Sequence, residues 1–361
     1  MVRKSEEIGK VRGERPMDNQ MKLYSLVKKL YQANFWEDYW DNDIIGIQLP
    51  NREDPVFISI LGKAEQNFGF LIYRNLEELS YFFETSNRAD FDEFSSMIEL
   101  LQTQKCISLN FEDRQEIPKE EYEKIKASGT TFRGKKAWPV FTDYKPGYYP
   151  FTIDEKDVPF LITVFEKLIE TANDFRTSLQ IYEKEQETYK ILMRTYKKDG
   201  SYEDGLYVVP EAILEGIVDT ETDHAAIKLT DFEIKRANTQ KMAHTIWELD
   251  IDFIGVPVVP PNGGRPMFPS LLIVADAKNG EVICSEFVEP RDVEKIQRIV
   301  LQLILAQNSK PPKIVVDATR YFKIAAYLES LLTALDIELV PLRKLPLISV
   351  VKADMLEYFK E

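Results

Sequence analysis

Apolar side chains recur at helical spacing at Leu23, Leu26, Val27, Leu30 and Tyr31, which predicts a first helix with one buried stripe. The pattern then shortens. DIIGIQLP, PVFISILG and FGFLIYR are β-rich runs bounded by Pro, Asn and Gly, and they read as a small antiparallel sheet. NLEELSYFFET and DFDEFSSMIELLQ return to helical spacing, each opened by Asn or Asp in a capping position. KCISLNFED is a strand and PKEEYEKIKAS a helix with Pro in its first turn, while YYPFTIDEKDVPFLITVFEKLIETANDF couples a strand to a long helix. Residues 19–185 therefore read as an α+β domain, preceded by a flexible extension over 1–18.

Residues 186–240 read as a hairpin and connector. The hairpin is YKILMRTYKKDGSYEDGLYVVPEA, two alternating runs meeting at a turn with Asp199 and Gly200. From 241 onward the order of elements is clearest. TIWELDIDFIGVPVV, SLLIVADAK and EVICSEFVE are three strands, the last two joined by an Asn-Gly turn. PRDVEKIQRIVLQLILAQ is a helix, PKIVVDAT a strand, YFKIAAYLESLLTALD a helix, IELVPL a strand and LISVVKADMLEYFKE a final helix. The order βββαβαβα predicts a mixed sheet of about five strands with helices packed on it, an α/β domain over 241–361.

One stretch of that domain raises a chemical question. In the first strand Glu248, Asp250 and Asp252 alternate with Trp247, Leu249, Ile251 and Phe253, so three carboxylates line one face and four large apolar groups the other. The plain expectation is a solvated strand face over a buried one. Asp276, on the next strand, is expected to serve its own turn through local backbone bonds.

The 361 residues suit two domains, and 44% apolar with 29% charged residues is a globular composition. No run is apolar enough to span a membrane and the first twenty residues lack a secretory core, so a cytoplasmic protein is expected. Cys106 and Cys284 lie far apart in apolar runs and read as reduced thiols. With only two histidines, His224 and His244, a histidine-based metal site or triad is not supported. The net charge is −14; residues 241–361 carry 14 Lys and Arg against 16 Asp and Glu, so −2 lies there and −12 in the first 240 residues. That balance disfavours nucleic acid as a general partner, although a near-neutral C-terminal domain could still meet a phosphate backbone locally.

The strand order, with WELD, LLIVADAKNGEVI and KIVVDATRYF, resembles the ribonuclease H-like fold of ribonuclease H, integrases and transposases. The whole chain, through WEDYWDNDIIGIQLP and the elements above, is similar to a bacterial family of uncharacterised proteins that pair two domains of unknown function. The first resemblance implies two Mg²⁺ or Mn²⁺ ions held by acids of the first strand, the fourth strand and a late helix. Carried onto this chain, these are Asp250, Asp317 and Asp354, with Glu357 one turn beyond Asp354. The chain departs from the integrase pattern in having Asp at the helix position and ATRYF after the fourth strand, where Arg320 could contact phosphate or neutralise Asp317.

Three functions follow. The favoured one is a noncatalytic binding or assembly module with an unknown protein partner, no membrane and no cofactor. The alternative is a Mg- or Mn-dependent nuclease or strand-transfer enzyme using Asp250, Asp317 and Asp354. The third is an acidic decoy for a nucleic-acid-binding protein.

Overall fold

The first apolar stripe forms helix α1 (Pro16–Ala33), with Leu23, Leu26, Val27 and Leu30 buried. It begins at Pro16, inside the stretch expected to be an extension, because a proline is tolerated in a helix's first turn, where its missing N–H has no partner to lose. The computed structural model describes residues 16–65, 67–87, 104–180, 189–214, 225–253, 256–260 and 263–358, with only the backbone at 16–18, 85–87, 212 and 353–358.

Strands β1 (Ile45–Gln48), β2 (Val56–Leu61) and β3 (Phe68–Tyr73) are followed by α2 (Leu76–Asn87), where the Asn75 side chain accepts from the Glu78 N–H at 2.8 Å. The helix expected at DFDEFSSMIELLQ lies outside the described residues. Next come β4 (Cys106–Glu112), α3 (Lys119–Ala127), β5 (Trp138–Tyr144), α4 (Val158–Phe175), β6 (Lys190–Tyr196) and β7 (Tyr202–Val208). Sequence reading misses β5, because Pro139 argues against a strand; at a sheet edge a proline is tolerated. The strand expected at YYPFTI is reduced to two isolated bridges, Phe151 with Asp143 and Tyr148 with Met267.

All seven strands form one sheet in the order β5-β4-β3-β2-β1-β6-β7, larger than the small antiparallel sheet expected. The increase comes partly from the β6–β7 hairpin, which joins through a parallel pairing of β1 with β6. α1 and α4 cover one face, burying Ile45, Ile47, Ile58, Phe70, Leu109 and Leu192 against Leu161, Phe165 and Leu168.

The rest of the chain contains α5 (Glu211–Leu214), α6 (Asp231–Asn238), β8 (Lys241–Met242), β9 (Trp247–Phe253), β10 (Ser270–Asp276) and β11 (Val282–Val288). It ends with α7 (Val293–Ala306), β12 (Ser309–Lys310), β13 (Lys313–Asp317), α8 (Tyr321–Ala334), β14 (Glu338–Leu342) and α9 (Pro346–Tyr358). α6 lies in the expected connector and is opened by a capping box between Thr230 and Glu233. The main sheet is ordered β11-β10-β9-β13-β14. β9, β10 and β11 are antiparallel neighbours, while β13 runs parallel to both β9 and β14.

Both faces of this second sheet are covered. Trp247, Leu249, Ile251, Leu272 and Val274 pack with Ile296, Val300, Ile324 and Leu328 of α7 and α8. Leu271, Ile273, Ala275 and Val315 pack on the other side with Leu345 and Ile348 at the start of α9. Contacts divide the chain into two units, one of Met1–Leu79, Cys106–Asp143 and Phe151–Pro210, the other of Ser80–Lys105, Tyr144–Pro150 and Glu211–Glu361. Within the second, the loop at Gly147 lies against Pro290 so closely that a Cβ at Gly147 would sit 2.3 Å from it, and φ of 81° there also favours glycine. Among the described residues no helix is long and apolar enough to cross a membrane.

Candidate functional site

The acidic row of β9 is not a solvated face. Glu248 and Asp250 are 3% and 2% exposed, because α9 lies across the side of the sheet to which they point. Only Asp252, nearer the end of the strand, is partly open to solvent. Of the four apolar residues expected to be buried, Trp247, Leu249 and Ile251 are; Phe253 is half-buried and packs on Phe268.

Each carboxylate of the row has a different partner. Glu248 Oε2 accepts from the backbone N–H groups of Leu347 and Ile348, both at 3.1 Å. These are unpaired donors in the first turn of α9, whose first turn contains no acidic residue, so Glu248 supplies the negative charge that a helix N-terminus favours. Asp250 Oδ2 accepts from Arg320 at 2.6 Å and also pairs with Lys352. The same two cations reach Asp252, Arg320 at 3.1 Å and Lys352 through a second ion pair. Oδ1 of Asp250 is buried and has no hydrogen-bond partner among the described residues.

Asp317 ends β13. The pairing of Val315 with Glu248, continued two residues along the parallel strands, sets Asp317 on the same face as Asp250 and beside it. Its Oδ1 accepts from the Thr319 hydroxyl at 2.6 Å and the Thr319 N–H at 2.9 Å, so it caps the short 3-10 turn Ala318–Arg320. Those two bonds, helped by the charges of Arg320 and Lys352, hold its carboxyl below the usual aspartate value. Arg320, expected to neutralise Asp317 if it made an ion pair, is bonded instead to Asp250 and Asp252. Burial opposes its charge, but the carboxylates of Asp250 and Asp252 outweigh that and push its pKa upward. Lys323, on the first turn of α8, is pushed down by burial and by Arg320 and Arg291, against the pull of Asp252.

A depressed folded pKa stabilises the protein above the ordinary aspartate pKa of 3.8, and that contribution is lost as pH falls through the lower folded value. Acid unfolding curves below about pH 4 should therefore be shallower in Asp317→Asn than in the parent, while the two proteins respond alike between pH 5 and 7. Identical acid limbs would show that Asp317 titrates normally.

Asp354 and Glu357 lie in α9, but their side chains are outside the described residues. Among those described, no three His, Cys, Asp or Glu side chains group as metal ligands. Arg320 and Lys352 place two positive charges on one oxygen of Asp250. Asp276 accepts from the Lys278 N–H at 2.8 Å, closing its own turn, and from the Thr245 hydroxyl at 2.5 Å. Neither Cys106 nor Cys284 is in a disulfide among the described residues; burial of the latter pushes its pKa up to about 11.

Sequence reasoning did not single out Lys352. The signal was present in the spacing Leu345, Ile348, Val351, Lys352: a lysine one turn after Ile348 stands on the same helix face as the residues that meet the sheet.

Residues 21–194 match the model of a family described as Domain of unknown function (DUF7309), and residues 233–356 match that of Domain of unknown function (DUF6930). No curated protein matches the chain. The chain thus carries two adjacent domains of unknown function, with the ion-paired acidic row inside the second match.

Proposed function

We propose that the protein is a noncatalytic binding or assembly module, and that its C-terminal domain is a ribonuclease H-like domain in which the acidic row holds the last helix in place of metal ions. The fold reading is supported by the sheet order: taken in chain order from β9, leaving the short β12 aside, the strands lie 3-2-1-4-5, with the first antiparallel to the second and parallel to the fourth. The noncatalytic reading is carried by one observation, the pairing of both Arg320 and Lys352 with Asp250 and Asp252. Two-metal chemistry draws cations in by leaving carboxylates mutually repelling; here the repulsion is relieved by the chain's own side chains.

The alternative, a Mg²⁺- or Mn²⁺-dependent nuclease or strand-transfer enzyme, draws on Oδ1 of Asp250, which has no partner among the described residues, and on the placement of Asp317 beside it. Melting curves separate the two. Under our reading millimolar Mn²⁺ shifts the melting temperature no more than matched ionic strength does, and single- or double-stranded DNA and RNA stay intact in its presence. A Mn²⁺-specific rise that disappears in Asp250→Asn, or cleavage lost in that variant, would establish the enzyme.

The decoy reading is weakened by pairing within the N-terminal unit, where Asp38 meets Arg176, Asp143 meets Arg74, and Asp174 and Asp204 both meet Arg194. A bacterial, cytoplasmic setting completes the proposal; two cysteines outside any disulfide among the described residues and the family resemblance support it.

A further inference from the structure

We propose that β7 is a self-association edge, and that two copies of this chain pair their β7 strands antiparallel about Gly205, joining two seven-stranded sheets into one. The inference is independent of the reading of the β9 site.

The two main sheets have four edge strands, β5 and β7 in one and β11 and β14 in the other. Three carry features that discourage pairing with another chain. β5 contains Pro139 and β14 contains Pro341, and the pairing of β11 with β10 is interrupted by a register shift at Val274 and Ala275. β7 has none of these. It is seven residues long, contains no proline or lysine, pairs in unbroken register with β6, and exposes Tyr202, Leu206 and Val208. Its two acids do not guard the edge as free charges, since Glu203 pairs with Lys197 and Asp204 with the buried Arg194.

The free side of β7 can be read from the ladder. The Val209 N–H donates to the Tyr189 carbonyl and the Lys197 N–H to the Ser201 carbonyl, so the odd-numbered residues of β7 bond to β6. The backbone groups of Tyr202, Asp204, Leu206 and Val208 therefore point outward. No strand among the described residues lies on that side.

A second copy fits this row in one register. Centring the two-fold axis on Gly205 sets Tyr202 opposite the partner copy's Val208 and Asp204 opposite its Leu206, so all four outward residues of each strand exchange bonds. Gly205 faces its symmetry mate in the close, non-hydrogen-bonded position, where the absence of a side chain admits the approach; nothing lies within 4 Å of where its Cβ would be. Moving the axis by one residue toward Asp204 would set two aspartates face to face, and moving it toward Leu206 leaves fewer outward pairs. The preferred register also brings the exposed Leu206 diagonally against its own mate, and Tyr202 against Val208, which hides the apolar groups that β7 exposes.

The test is the mass of the full chain in solution, measured by sedimentation over a concentration series. The parent should sediment at twice the monomer mass, and Leu206→Pro at the monomer mass. That proline removes an outward N–H and leaves the β6 ladder intact. Leu206→Lys, which adds a charge to the edge without touching the backbone, should also be monomeric. Gly205→Cys under mild oxidation should form a covalent dimer on a non-reducing gel, while Gly200→Cys, in the exposed turn, should not. A monomeric parent at every concentration overturns the proposal, as does a dimer that survives both Leu206 variants. A dimer that Gly205→Cys cannot cross-link overturns the register.

Discussion

Trp247→Ala is expected to destabilise the protein by about 3 to 5 kcal/mol, the usual cost of removing a fully buried large aromatic side chain and leaving a cavity behind. Trp247 is 3% exposed and opens β9, where it lies beside Ile314 of β13 and Asp276 of β10 in the cluster beneath α7 and α8. Its loss thus opens a void at the centre of the sheet. Phe253, at the other end of the strand and half-buried, is the control: Phe253→Ala should cost clearly less. Urea denaturation of the three proteins compares them directly, and a Trp247→Ala variant that unfolds with its parent would show that the faces of β9 are reversed.

Asp250→Asn should cost about 2 to 3 kcal/mol. Breaking a buried ion pair by removing one partner typically costs 3 to 5 kcal/mol, because the remaining charge is left without compensation. The lower range applies because Arg320 is 34% and Lys352 19% exposed, so water and Asp252 take up part of their charge. A wet strand face would make the same substitution nearly neutral, within about 0.5 kcal/mol. A double-mutant cycle identifies the cause: Lys352→Met should be less damaging in the Asp250→Asn background than in the parent. Additive effects would mean that Lys352 does not hold Asp250.

The two substitutions act on opposite faces of one strand, and the comparison shows why the acidic row was misread. Alternation in WELDIDF determines that the acids and the apolar residues face opposite ways, and it did so correctly. Alternation does not say what lies over either face. A row of carboxylates is wet only if no element covers it, and α9 covers this one. The helix was legible in LISVVKADMLEYFKE, but its docking direction was not, because that depends on Leu345 and Ile348 finding Leu271, Ile273 and Val315, residues far away in sequence.

The same division runs through the rest of the molecule. Local spacing and turn chemistry determined α1, α4, the β6–β7 hairpin and the order of strands and helices after residue 241, since each depends on neighbours within a few positions. Pro139 hid β5, because proline's local meaning opposes a strand unless the strand lies at an edge, and edges exist only in the assembled sheet. The hairpin read as a connector became part of the first sheet for a related reason: β6 pairs with β1 across more than 140 residues, and no local signal records that partner. By itself the sequence determined which side chains share a face and which charges the chain carries. Tertiary structure decided which of those charges meet, placing Arg320 and Lys352 on Asp250, because a buried carboxylate is stable only with a partner and these cations come from the turn after β13 and from α9, which packing alone brings to it.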